Sequence, residues 1–146
     1  MSRAVLSVGS NVGDRLGQLR AATRHFDPWL VAASAVYETA PWGPVPQPDY
    51  LNAVLLVSDA TADGRQWLCR AQAAEADAGR VRDVRFGPRT LDVDLIAVDD
   101  ERRCGPDLTL PHPRAAERAF VLVPWLDLEP GAVLPGYGPV DTLLGR

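Results

Sequence analysis

Leu91-Asp92-Val93-Asp94-Leu95-Ile96-Ala97-Val98 is the stretch on which the fold turns. Its branched apolar residues predict a strand, and Asp92 and Asp94 stand two apart within it. Strand side chains alternate between faces, so both carboxylates leave the same face, with Cα atoms roughly 6–7 Å apart. Ile96 and Val98 are expected to continue that face, which makes the two acids an interruption of an apolar stripe. Carboxylates this close repel each other unless a cation lies between them. Mg2+ suits such a pair, because it takes one or two carboxylates and completes its shell from substrate phosphates. A half-exposed strand with a polar outer face has the same alternation, and spacing alone leaves the two readings level.

Outward from this strand, Arg80–Thr90 is an arginine-rich loop. Arg80, Arg82, Arg85 and Arg89 bring four guanidinium groups within reach of the acids, as a polyphosphate requires. Gly79 and Gly87-Pro88 bracket the loop, which predicts a moving lid. Before it, Trp67, Leu68, Ala71, Ala74 and Ala78 recur at helical spacing, with Asp63 and Gln66 as a capping box. Cys69 in this helix reads as a small core residue. Leu51–Ser58 is a strongly apolar strand, and Leu30–Thr39 another. Between them, four prolines within Ala40–Asp49 forbid helix and sheet interior, which makes a stiff candidate binding loop. Leu16, Leu19, Ala22 and Phe26 mark a first helix, capped by Ser10 or Asn11, after the strand Ala4–Gly9. The order is therefore β-α-β-β-α-β. That order is an α+β, ferredoxin-like core: an antiparallel sheet with two helices on one face. Residues 99–146 add strands and a short helix near Arg114–Arg118, and no linker divides residues 1–146 into more than one domain.

Composition removes several functions. All 15 basic residues are arginine, so a P-loop, Schiff-base chemistry and a protein-kinase core, which need lysine, are excluded. The net charge of −4 argues against nucleic acid as a partner. The apolar run after Met1-Ser2-Arg3 is too short for a signal peptide or membrane span, so a cytoplasmic location and a monomer are the default expectations. Cys69 and Cys104 have neither disulfide-framework nor zinc spacing. His25 reads as a surface residue without a partner, whereas prolines flank and position His112. Tyr50 and Asn52 follow the proline loop, and an amide in an apolar strand can read a heterocycle edge through its donors and acceptor. Trp42, Tyr50, Phe86 and Phe120 offer stacking planes, although each alone is equally a core residue.

Taken in order, several segments resemble the 6-hydroxymethyl-dihydropterin pyrophosphokinase family. They are Gly9-Ser10-Asn11, Gln47-Pro48-Asp49-Tyr50-Leu51-Asn52, Gly79-Arg80-Val81-Arg82, Gly87-Pro88-Arg89-Thr90-Leu91-Asp92-Val93-Asp94, Leu110-Pro111-His112 and Arg118-Ala119-Phe120. The resemblance covers nearly the whole chain. It implies transfer of the β,γ-diphosphate of ATP to a pterin hydroxymethyl group in folate biosynthesis, with ATP and a reduced pterin as small-molecule partners and neither nucleic acid nor membrane. It implies that Asp92 and Asp94 hold two Mg2+ ions, with Arg82 and Arg89 also in the catalytic set. Gln72, Glu75, Arg80, Arg82, Arg89, His112 and Arg118 would face ATP. Thr39, Ala40, Trp42, Tyr50, Asn52, Phe86 and Phe120 would surround the pterin. Phe86, Pro113 and Asp83 depart from the family's common Trp, Tyr and basic residue. Two rivals share parts of the pattern: another two-metal phosphoryl or nucleotidyl transferase, and a ferredoxin-like module that binds a metabolite or RNA without catalysis.

Overall fold

β1 (Ser2–Ser10) is buried on both faces, with every residue buried except Arg3. A strand of that kind belongs in the middle of a sheet. It pairs antiparallel on one side with β4 (Tyr50–Asp59) and on the other with β5 (Asp92–Val98). β2 (Leu30–Ala33) and β3 (Tyr37–Thr39) both pair antiparallel with β4, each along a different half of it. The sheet order is β2-β4-β1-β5. This computed structural model describes residues 2–41, 44, 46–78 and 91–145.

Counted as one interrupted strand, β2 and β3 complete the βαββαβ order of the ferredoxin-like fold. The interruption has a local cause. Ser34 Oγ accepts the Val54 N–H at 2.9 Å, and Ser34 N–H donates to the Val54 carbonyl at 2.9 Å. A side-chain oxygen has taken a donor that a continuous strand would satisfy with its backbone, so the expected strand Leu30–Thr39 divides there.

α1 (Arg15–His25) and α2 (Gly64–Asp77) cover one sheet face. Leu19, Ala22 and Phe26 with Trp67, Ala71 and Ala74 pack against Leu6, Val8, Leu55, Val57, Val93 and Leu95. The capping box on α2 is present in both directions: Asp63 accepts from Gln66 N–H, and the Gln66 side chain accepts from Asp63 N–H. Asp14, rather than Ser10 or Asn11, caps α1 by accepting from Gly17 N–H at 3.0 Å. Leu16 points outward and is 38% exposed. Cys69 is exposed as well, which corrects the core assignment, because the buried stripe of α2 runs through Trp67, Ala71 and Ala74. His25 has a partner after all: its Nδ1 lies 3.3 Å from Asp77 Oδ2 and bridges the two helices.

The second sheet face carries a separate core. Val5, Val54, Leu56, Ile96 and Ala97 meet α3 (Ala119–Leu128) and α4 (Val140–Leu144) through Val121, Leu122, Trp125, Val140 and Leu143. The short helix expected at Arg114–Arg118 is only a 3-10 turn, Ala115–Glu117, and the ten-residue α3 follows it. Pro124 lies inside α3, and its residues are apolar nearly all round, so neither periodicity nor the usual proline rule marks it as a helix. β6 (Arg103–Cys104) pairs with β7 (Thr109–Leu110), and β8 (Val133–Leu134) with β9 (Gly138–Pro139). Among the described residues, no helix is long and apolar enough to cross a membrane.

The two-sided sheet depends on an irregularity in β5. Val5 faces Ala97 and Leu6 faces Leu95, so Ile96 is an extra residue, a β-bulge. Ile96 and Ala97 therefore both turn to the second core, while Val98 returns to the first. Ile96 shares a face with Asp92 and Asp94 as alternation predicts; Val98 does not.

Candidate active site

The α3–α4 layer packs against only part of the second sheet face. The row Val54–Ser7–Asp94 crosses β4, β1 and β5, and the next row is Asn52–Gly9–Asp92. Tyr37 continues the latter row beyond Asn52. Polar side chains thus replace the apolar ones of the second core, and the two acids stand across β1 from the amide. Neighbouring strands are spaced about 4.8 Å apart, so Asn52 and Asp92 are separated by roughly 10 Å.

Gly9 forms the floor between them. A Cβ placed there would lie 3.1 Å from Asn52 Oδ1 and 3.3 Å from Tyr50 Cδ1. Asn52 is 3% exposed, and its Nδ2 donates to Thr39 Oγ1 at 2.6 Å. That bond orients the amide so that Oδ1 is its group nearest Gly9. Thr39, Tyr50 and Asn52 are therefore one cluster: β3 pairs Thr39 with Tyr50 and Tyr37 with Asn52. Ala40 follows on the exposed side.

The proline loop is anchored by a residue that the sequence reading treated as a cap. Asn11 is 2% exposed, and its Nδ2 donates to Gln47 Oε1 at 2.8 Å and to the Pro48 carbonyl at 2.9 Å. Arg15 Nη1 donates to Glu38 Oε2 at 2.8 Å and to the Asp49 carbonyl at 3.1 Å. The stretch leading into Tyr50 is thus fixed to the β1–α1 turn.

On the acid side, the bulge positions His112. The Ile96 carbonyl accepts from His112 N–H at 2.8 Å, which holds the segment after the cis Leu110–Pro111 peptide against β5. His112 Nδ1 accepts from Arg114 N–H at 3.2 Å, so its proton resides on Nε2. Burial, then the Arg118 and Arg114 charges, outweigh Asp92 and lower the imidazole pKa to about 4. Arg118, just before α3, brings Nη1 to 3.7 Å from Asp94 Oδ2, and its guanidinium lies 5.5 Å from the Phe120 ring centre. Asp92, Asp94, His112, Arg118 and Phe120 are therefore gathered at one end of the sheet.

Gln72 and Glu75 separate. Gln72 is exposed on α2, whereas Glu75 is 6% exposed and its Oε2 accepts the Val93 N–H at 2.9 Å. Glu75 thus satisfies the backbone of β5 between the two acids. Sequence spacing showed the pair one turn apart but not which member turned inward. Trp42, Arg80, Arg82, Arg85, Phe86 and Arg89, together with the lid expectation, lie outside the described residues.

Asp92 and Asp94 form an all-oxygen, same-face pair, which fits Mg2+. Among the described residues, no cluster of three or more His, Cys, Asp or Glu side chains offers a self-sufficient metal cage. A metal here would draw its remaining ligands from water or phosphate.

The 2-amino-4-hydroxy-6-hydroxymethyldihydropteridine pyrophosphokinase of Mycobacterium tuberculosis is 51% identical over 159 aligned positions, covering 100% of this chain and 84% of that one. The protein of the same name from Pseudomonas aeruginosa is 38% identical, covering 99% of this chain and 91% of the other. The wild-type HPPK-DHPS crystal structure from Plasmodium falciparum superposes with a TM-score of 0.73 at 12% identity, over 99% of this chain. That match spans only 44% of the Plasmodium chain and speaks to the fold. The profile of 7,8-dihydro-6-hydroxymethylpterin-pyrophosphokinase matches residues 5–130. With the acid pair, the amide cluster and the ferredoxin-like sheet in place, the chain belongs to the 7,8-dihydro-6-hydroxymethylpterin-pyrophosphokinase family.

Proposed function

We propose that this chain transfers the β,γ-diphosphate of ATP to the hydroxymethyl oxygen of 6-hydroxymethyl-7,8-dihydropterin, releasing AMP, with Mg2+ held by Asp92 and Asp94. Pyrophosphokinase action on this pterin, a step of folate biosynthesis, is the activity named for the family and for the relatives above. The observation that carries the fuller reading is the row Asn52–Gly9–Asp92. A heterocycle read by Asn52 lies over a side-chain-free floor and extends its far substituent toward the acids.

Asn52 Oδ1 accepts from ring N–H or amino donors, while Thr39 holds the amide in that orientation. Phe120 and Tyr50 supply apolar surface beside the ring, and Trp42 and Phe86 are proposed to complete it. Arg118 and the Nε2–H of His112 donate to phosphate oxygens, joined by Arg80, Arg82 and Arg89 from the arginine loop. Gln72 is proposed to contact the nucleotide from α2. Bound Mg2+, proposed as two ions, would neutralise phosphate charge and increase the electrophilicity of the transferred group. The hydroxymethyl oxygen forms a bond to the β-phosphorus as the bond from that phosphorus to the α,β-bridging oxygen breaks. AMP leaves with that oxygen, and the hydroxyl proton passes to water. His112 is not the base: Nδ1 already accepts a hydrogen bond and Nε2 carries a proton. The same proposal includes a cytoplasmic monomer, a single domain over residues 1–146 and no nucleic-acid partner.

A product assay tests it. Purified protein with Mg2+, ATP and the pterin should give AMP and pterin diphosphate in equal amounts. ADP or inorganic pyrophosphate as product, or intact ATP with a folded protein, would overturn it.

A further inference from the structure

Tyr37 lies on β3 directly opposite Asn52 on β4, at the end of the row Asn52–Gly9–Asp92. Residues directly opposite on paired strands share a face, so its ring stands on the side of the acids and the amide. Its hydroxyl donates to Asp127 Oδ2, in the last turn of α3. That hydrogen bond, then burial and the carboxylate charge, raise the Tyr37 pKa, so the phenol remains a donor at neutral pH. The other end of α3 lies over β5, where Arg118 Nη1 is 3.7 Å from Asp94 Oδ2. From Arg118 to Asp127 a helix rises about 13 Å, and from β5 across β1 and β4 to β3 the sheet spans about 14 Å. α3 therefore lies across the strands, with the acids at one end and Tyr37 at the other.

Phe120, Val123 and Asp127 follow one another at i, i+3 and i+7, beside the buried stripe of Val121, Leu122 and Trp125. Phe120 and Asp127 thus stand on one side of the helix, two turns apart. We propose that Tyr37 is a positioning residue for the heterocycle: by tying Asp127 to β3, it sets the gap between α3, which carries Phe120, and the amide cluster of Thr39 and Asn52. Thr39 is two residues along the same strand, and its Oγ1 accepts from the Asn52 amide at 2.6 Å. β3 therefore orients the amide with one side chain and the facing helix with another. This inference rests on the reading of Asn52 and Phe120 as the pterin side of the site. The Tyr37–Asp127 bond is exposed, so its loss should change the spacing of the two walls more than the stability of the fold.

The test is steady-state kinetics on the full chain, with pterin and ATP varied in turn. Tyr37→Phe keeps the ring and removes the donor. It should raise pterin KM roughly 5–10-fold with ATP KM unchanged, a modest effect beside what a 1 Å misplacement can cost. Its melting temperature should stay within about 2 °C of the parent. Asp127→Ala should give the same rise, and the double variant no more than either alone, because both remove one contact. Asp127→Asn keeps an acceptor oxygen and should recover most of the pterin affinity. If Tyr37→Phe leaves pterin KM within twofold of the parent, or raises ATP KM equally, the positioning role is overturned while the pyrophosphokinase reading stands. The same holds if the two effects multiply in the double variant, or if Asp127→Asn fails to recover. If the parent forms no AMP and pterin diphosphate, that reading fails and the role of Tyr37 fails with it.

Discussion

A methyl group at Gly9 would press on Asn52 Oδ1 at 3.1 Å and on the Tyr50 ring at 3.3 Å. Gly9→Ala should therefore raise pterin KM by about 10-fold or more while Mg2+–ATP still raises the melting temperature, because displacements of an ångström can cost two orders of magnitude. On the proposed metal-holding role of Asp94, Asp94→Ala should slow turnover roughly 10²–10³-fold without lowering the melting temperature. A near-normal rate would refute the acid-pair assignment. His112 gives a pH signature. Burial and Arg118 hold its folded pKa near 4, below its unfolded value of about 6.5. Its contribution to stability is complete above about pH 6.5 and is lost as pH falls through about 4. Its imidazole resonances should titrate near pH 4 in the free protein, and a midpoint near 6.5 would contradict the buried, neutral ring. At this scale, the placement of Asp92 and Asp94 on one face of a strand was legible from alternation, whereas spacing alone left the metal reading level with a polar outer face. The roles of Gly9 and Asn11 were not legible: each is an ordinary strand or turn residue until its neighbour across the fold is known.

Elements differ in how openly the sequence announces them. α2 was legible from its capping box, and Asp63→Ala should cost about 1 kcal/mol and lower the melting temperature by about 3–4 °C, with activity at 25 °C unchanged. The proline loop was legible as a loop, but its attachment was not, since Asn11 and Gln47 are 36 residues apart. Asn11→Ala should raise pterin KM more than ATP KM; an equal rise in both would mean that the loop does not position the pterin side. α3 escaped notice because Pro124 and an apolar surface all round hide its period. The bulge at Ile96 also left no mark, because alternation is read from one residue to the next and an extra residue shifts its phase without changing composition.

The whole molecule is a sheet with two unlike coverings. α1 and α2 close one face; the C-terminal layer packs on only part of the other, beside the rows that carry the acids and the amide. Its element order was legible, since each segment carried its own period, but the second core was not, because it is built from residues scattered between Val5 and Leu143. Leu122 is 2% exposed in that core, and Leu122→Ala should cost about 2–5 kcal/mol, read as a lower denaturant midpoint. The central place of β1 also has a consequence in time. The strand made first finds one partner only after residue 59 and the other only after residue 98. At about 5–20 residues per second on a ribosome, β1 waits roughly 5–20 s for β5. Asp92 is thus among the last residues to join the sheet, and a nascent chain cut short before β5 holds the amide side of the site without the acids that face it.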